Sequence, residues 1–277
     1  MDSAQSMELT LLAGASGLLG AHGRELPQKD DLCGAFCGAL ALRAAGIVEW
    51  AGDPVDQDAV AVAAGSLVST VPDISILPAG EVGRRDYRLP MRFIDDGDRS
   101  GTTAAGVVSA IGSLSGGELE AIPLAGPWTV EALDGLFDVA ASLGHPVTLI
   151  VNLATAHLWG GRPSPGQLLG YLLGGDQEGP EPDWQVGHFA VVVGRVVGPA
   201  GTLYVVADTY PALGDRGVHV QPGERLGAAI ERRGMAPGGV IVVAGTADGP
   251  AVRAAAGALG LGEGVWDNGT AIVEPSP

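Results

Sequence analysis

The stretch QKDDLCGAFCGALALRAAG, residues 28–46, decides how the rest of the chain is read. Asp30 or Asp31 stands where a helix N-cap belongs. Apolar residues recur at helical spacing from Leu32 to Ala45, and Gly46 is a natural stop. Cys33 therefore opens a helix. A thiol there meets unpaired N–H groups and the positive end of the macrodipole, which favour the thiolate, its reactive form. Asp30 and Asp31 oppose that effect, so the position calls for a partner imidazole. Cys37, Leu40 and Ala44 fall at i, i+3 and i+7 on the stripe that faces the core. There a free cysteine behaves as a small hydrophobe.

Composition narrows the function. The chain has 277 residues and a net charge of −17. Its length suits one large domain or two small ones. The acidity argues against a nucleic-acid surface or an anionic membrane as partner. Two cysteines in a C-x-x-x-C helical spacing do not make a disulfide framework, and a reducing, cytoplasmic setting is expected. The apolar segment Leu9–Leu19 lacks a basic flank and reads as a short helix rather than a signal peptide, and no apolar run reaches a membrane span.

Residues 8–23 read as an amphipathic helix, followed by the Cys33 helix. Asp53-Pro54 then starts a helix carrying Val55, Val60, Ala63 and Ala64, with Gly65 as its stop. Residues 70–99, rich in Pro, Gly and charge, read as an irregular surface excursion, and Asp95-Asp96-Gly97-Asp98 as a solvated turn rather than a calcium loop. The stretch Ser100-Gly101-Thr102-Thr103 caps one expected helix, Thr129 begins another, and strands are expected at 119–124 and 147–153. A long Gly- and Pro-rich connection, 154–187, holds one helix at 165–173. A hairpin follows, with His188 starting its first strand and Asp208 closing its second. A helix at 223–233 and a strand at 240–244 complete the regular structure, and the segment beyond Asp248 carries a weak helix at 251–259.

In an antiparallel pair His188 and Asp208 lie at neighbouring ends, although the turn length leaves their register open. The chemical set is then complete: Cys33 as nucleophile, His188 as its general base, Asp208 orienting the imidazole, and the Gln28 amide donating to an oxyanion. A zinc site from His22, Cys33 and Cys37 lacks a fourth ligand. His22, His145, His157 and His219 stand in weaker contexts.

The pieces LCGAFC (32–37), HFAVVVG (188–194) and VVADTYP (205–211) occur in the order Cys, His, Asp. Over residues 25–245 the chain resembles papain-like cysteine peptidases of the bacteriocin-processing, double-glycine leader group. In that group a Cys opens a D-C-G helix start behind a glutamine, a His opens an H-F-x-V-V-x-G strand, and an Asp closes the next strand. Here four residues separate Gln28 from Cys33 where the family has five, and Leu32 replaces the Asp before the cysteine. The resemblance implies an α+β, papain-like domain over residues 1–277, with an N-terminal helix (1–24) and a C-terminal extension (246–277). A helical lobe would carry Cys33, an antiparallel sheet lobe His188 and Asp208, and the cleft would lie between them. It implies a stand-alone cytoplasmic thiol peptidase that removes a leader from a precursor peptide, without cofactor or metal and without membrane insertion. An acyltransferase passing the acyl group to an amine, and a non-catalytic peptide-binding module, are the alternatives.

Overall fold

The computed structural model describes residues 6–182 and 184–272. The outermost residues of the N-terminal segment and of the C-terminal extension, and one position of the 154–187 connection, lie outside that set. The chain is α+β. Strand β1 (Glu8–Leu11) and helix α1 (Ala15–Glu25) lead into α2 (Cys33–Ala44). A two-residue ribbon, β2 (Glu49–Trp50) with β3 (Asp53–Pro54), precedes α3 (Gln57–Ala64), and β4 (Leu67–Ser69) pairs in parallel with β5 (Arg92–Ile94). Then come α4 (Ala104–Leu114), β6 (Leu119–Ala125), α5 (Val130–Ser142), β7 (Thr148–Ala154), α6 (Pro165–Gly174), β8 (Gly187–Val197) and β9 (Thr202–Ala207). The chain continues through β10 (Val218–Pro222), α7 (Gly223–Glu231), β11 (Gly239–Gly245), α8 (Gly249–Ala258) and β12 (Gly262–Glu263).

Eight strands form one antiparallel sheet in the order β10-β9-β8-β7-β11-β6-β12, with β1 pairing the far end of β8. Alternation along the strands sorts their side chains into two cores. Ile150, Phe189, Val191, Val193, Ile241 and Val243 face the helices α1, α2 and α4. Leu149, Val151, Ala190, Val192, Val240 and Val242 face α5, α7 and α8. One antiparallel sheet thus carries helices on both faces, with α2 on the face of Phe189 and Val191.

Several expectations change. The alternating Glu8-Leu9-Thr10-Leu11 is a strand on β8, and the N-terminal helix begins only after a turn at Ala13-Gly14. Asp53-Pro54 belongs to the small ribbon. The helix after it is capped by Asp56, whose side chain accepts from the Ala59 N–H. Neither Asp30 nor Asp31 caps α2: its N-cap is Leu32, with no side-chain bond. Asp30 accepts instead from the Arg84 N–H, and Asp31, in the left-handed region at φ 63°, accepts from the Ser69 N–H and the Ser100 hydroxyl. These bonds tie residues 69–100 to the front of the Cys33 helix. The segment read as a surface excursion therefore forms a wall of the cleft.

Candidate active site

Two anchors hold the chain just ahead of Cys33. The Gln28 N–H donates to the Thr209 carbonyl at 2.9 Å. Lys29 pairs with the buried Asp58 at 2.8 Å, also donates to the Asp86 carbonyl, and takes the Gln57 amide oxygen on its own N–H. Gly34 lets the tip of α2 close on the sheet, since a Cβ there would stand 3.2 Å from the Phe189 ring and 3.0 Å from Thr102. Cys33 is partly exposed, whereas Cys37 is fully buried in the core. Burial, and secondarily the charge of Cys33, push the Cys37 thiol well up and leave it unreactive.

Strand register supplies the rest. Val191 pairs with Ala207 and Val206 with His219. Asp208, just past the end of β9, thus has His188 of β8 and His219 of β10 as diagonal neighbours on the same face. Its Oδ1 accepts from His188 Nε2 at 2.8 Å and from the Thr209 N–H at 2.7 Å, and its Oδ2 accepts from His219 Nε2 at 3.1 Å. The Asp208 carbonyl accepts from His22 Nε2 at 2.6 Å.

The tautomer of His219 follows from its neighbours. The Trp159 N–H donates to Gln221 Oε1 and the Trp159 carbonyl accepts from Gln221 Nε2. The Gln221 amide is thereby locked with its NH2 toward His219 Nδ1, at 3.1 Å. Nδ1 is an acceptor, so the proton of His219 sits on Nε2 and points at Asp208.

His188 and Asp208 are almost wholly buried. Trp184 packs against the His188 ring with centroids 4.7 Å apart, Tyr210 lies nearly parallel to it at 6.5 Å, and the Trp184 indole N–H is fixed on the Ile76 carbonyl. Burial alone would lower the His188 pKa. The Asp208 charge and hydrogen bond, with a further bond and charge from Cys33, outweigh it and lift His188 to about 10. Burial likewise works to raise Asp208, but the His188 charge and the bonds from His188 and His219 hold it well below the usual carboxylate range. With Nε2 committed to Asp208, Nδ1 is the imidazole nitrogen left for the thiol.

Cys33, His188 and Gln28 share a cavity of about 750 Å³. The Thr209 hydroxyl donates to Gln28 Oε1, which leaves the amide NH2 as the free end of that side chain. The cavity is also lined by Trp184 and Val186 from the 154–187 connection, by Asp31, Asp73 and Asp95 from the front wall, and by Asn268 to Thr270 near the C-terminus. The segment beyond Asp248, whose helix expected at 251–259 is α8, runs on to line the cleft. Trp266 is buried and donates to Asn152 Oδ1, and the Ala271 N–H donates to the Arg99 carbonyl.

The structure thus brings Cys33, His188, Asp208 and Gln28 together. Sequence reading passed over His219 and His22 on Asp208, and Arg232 in the cleft. For His219 the available signal was the alternation of Val218-His219-Val220-Gln221. Of the remaining histidines, His145 is exposed beside Asp248, and His157 lies in a short helical turn. Among the described residues no cluster of three or more His, Cys, Asp or Glu could hold a metal ion, and no helix is long and apolar enough to cross a membrane.

Residues 12–267 match the model of a family of unknown function, DUF6885, and the chain belongs to that family. No curated protein matches it.

Proposed function

We propose that this protein is a papain-like thiol peptidase in which Cys33 attacks a peptide carbonyl and forms an acyl-enzyme. One observation carries the reading: a buried imidazole, bonded at 2.8 Å to a carboxylate, lines the same cavity as the partly exposed Cys33 at the tip of α2. His188 holds the thiol proton. Sγ adds to the carbonyl carbon, the C–N bond breaks, and His188 delivers its proton to the departing amine. Water then attacks the thioester, gives a proton back to His188, and releases the acid and the thiolate, which restores the starting pair. Asp208 keeps the ring oriented and balances the imidazolium charge. The Gln28 NH2 and the first N–H groups of α2, which no side chain caps, are the donors for the oxyanion.

The papain-like assignment rests on chain order, with the cysteine helix before the antiparallel strands that bear His and Asp. A cleft of this size suits a peptide segment of a few residues. Leader removal from a precursor peptide in the cytoplasm is the role that the motif resemblance favours. Acyl transfer to an amine begins from the same acyl-enzyme.

The test is acid-quenched intact-mass analysis after mixing with p-nitrophenyl acetate, with and without a small primary amine. The reading expects a burst of nitrophenolate and one acetyl adduct, both lost in Cys33→Ala and kept in Cys37→Ala. Turnover in water without amine marks a hydrolase; turnover only with amine marks a transferase. Absence of an adduct in the wild type would leave a non-catalytic binding module.

A further inference from the structure

Arg232 follows α7 directly, at its C-terminal end, with its backbone in the left-handed region at φ 50°. It lines the cavity that holds Cys33, yet it is only 3 % exposed. Its guanidinium hydrogen-bonds only neutral oxygens, and burial pulls its pKa down against the opposing charge of Cys33. Nη1 donates to Asn152 Oδ1 at 3.0 Å and reaches the Asn268 carbonyl at 3.5 Å. Its Nε is buried without a hydrogen-bond acceptor, and among the described residues no carboxylate pairs with it. A guanidinium keeps its charge at any ordinary pH, and a buried charge is costly unless an anion meets it.

The surroundings are shaped to let this cation reach the cleft. A Cβ at Gly187, the residue before His188, would stand 2.4 Å from Arg232 Nη2, so any larger residue there would collide with the guanidinium. Asn152 orients it from below, and its own amide is committed on both ends: Nδ2 donates to the His188 carbonyl, and Oδ1 also takes the Trp266 indole N–H. Beside it Asn268 offers a buried Oδ1 that has no donor. Of the carboxylates elsewhere on the cavity wall, Asp30 is engaged by the Arg84 N–H, Asp31 by Ser69 and Ser100, Asp73 by Ser75 and Asp95 by Thr70, while Asp96 and Asp98 also line it.

We infer that Arg232 is the anchor of an anion subsite next to Cys33, which takes a carboxylate of the substrate while Asn268 Oδ1 accepts one of its N–H groups. This deepens the peptidase reading, and rests on it, by naming the substrate class: a peptide with either an acidic side chain or a free terminal carboxylate beside the bond that Cys33 attacks. An Arg fork suits such a carboxylate through two parallel N–H bonds.

The experiment compares alkylation of Cys33 by iodoacetate and by its neutral isostere iodoacetamide, followed by intact mass. Arg232→Gln is expected to lower the iodoacetate-to-iodoacetamide rate ratio about tenfold or more, with Arg232→Lys between it and wild type. Equal slowing of both reagents would overturn the inference and make Arg232 a structural charge. A second series needs no variant. It measures how well N-acetylglutamic acid α-amide, N-acetylalanine and the neutral N-acetylglutamine amide protect wild-type Cys33 from iodoacetamide. Protection by the first points to an acidic side chain and by the second to a terminal carboxylate. Protection no better than by the neutral compound overturns the subsite. Failure of the peptidase reading is separately visible, as an iodoacetamide rate that His188→Ala does not change.

Discussion

Two buried charges, Arg232 on the wall of the Cys33 cavity and Asp208 behind His188, are treated in opposite ways. Asp208 is surrounded by donors: His188 and Thr209 on one oxygen, His219 on the other, and His22 on its carbonyl. Arg232 has two neutral acceptors and an unpartnered Nε. An anion closed off by internal hydrogen bonds has no capacity left for a ligand, so its work is to hold another group in place. A cation left open has capacity that the fold itself does not use. The contrast sets a carboxylate closed behind His188 apart from a cation that lines the Cys33 cavity.

The largest expected effect breaks the Asp208 side. Asp208→Ala strips the acceptor from two imidazoles at once. It should cost about 3–5 kcal/mol of stability, as for one partner removed from a buried ion pair, read as a lower urea midpoint at unchanged slope. A loss near zero would mean that the three bonds to the carboxylate are not formed in solution.

Titration sharpens the same point. His188 is raised from 6.5 to about 10, so its contribution is complete below 6.5 and fades as pH rises toward 10. Asp208 is depressed from 3.8, so its contribution is complete above 3.8 and fades only in acid. The stability gap between wild type and His188→Ala should therefore be widest between 3.8 and 6.5 and close by about pH 10. A gap that grows in alkali would contradict the pairing.

The smallest effect probes the outer link. His219→Gln removes one neutral donor from a carboxylate that keeps its others, so stability should fall by about 1 kcal/mol. Alkylation of Cys33 should slow only a few-fold, about 2–10. A slowing as large as that of His188→Ala would move His219 from support to chemistry.

Much of this arrangement was legible in advance, for identifiable reasons. Helices α2, α4 and α5 and strands β6 to β9 and β11 are long enough for their periodicity to declare them, and Thr103 and Thr129 cap where a threonine should. Elements of two to five residues were not, because β1, β2, β3 and β10 take their identity from the strand that each pairs with. Asp30 and Asp31 looked like caps because local spacing says nothing of Arg84, Ser69 or Ser100, which compete for their carboxylates from far along the chain. His219 reaches Asp208 only through the register of β9 with β10. Arg232 stands out only once burial and the absence of a described ion-pair partner are known. Patterning revealed the scaffold and placed His188 and Asp208 on neighbouring strands; long-range packing chose what surrounds them.

The central claim, that His188 activates Cys33, is tested most directly by stoichiometric iodoacetamide labelling at neutral pH with intact-mass readout. Wild type, Cys33→Ala, Cys37→Ala and His188→Ala are compared. The account predicts one fast adduct that is lost in Cys33→Ala and kept in Cys37→Ala. In His188→Ala it should be slowed by about 10²–10⁴-fold. Labelling at the same slow rate with and without His188 would contradict it.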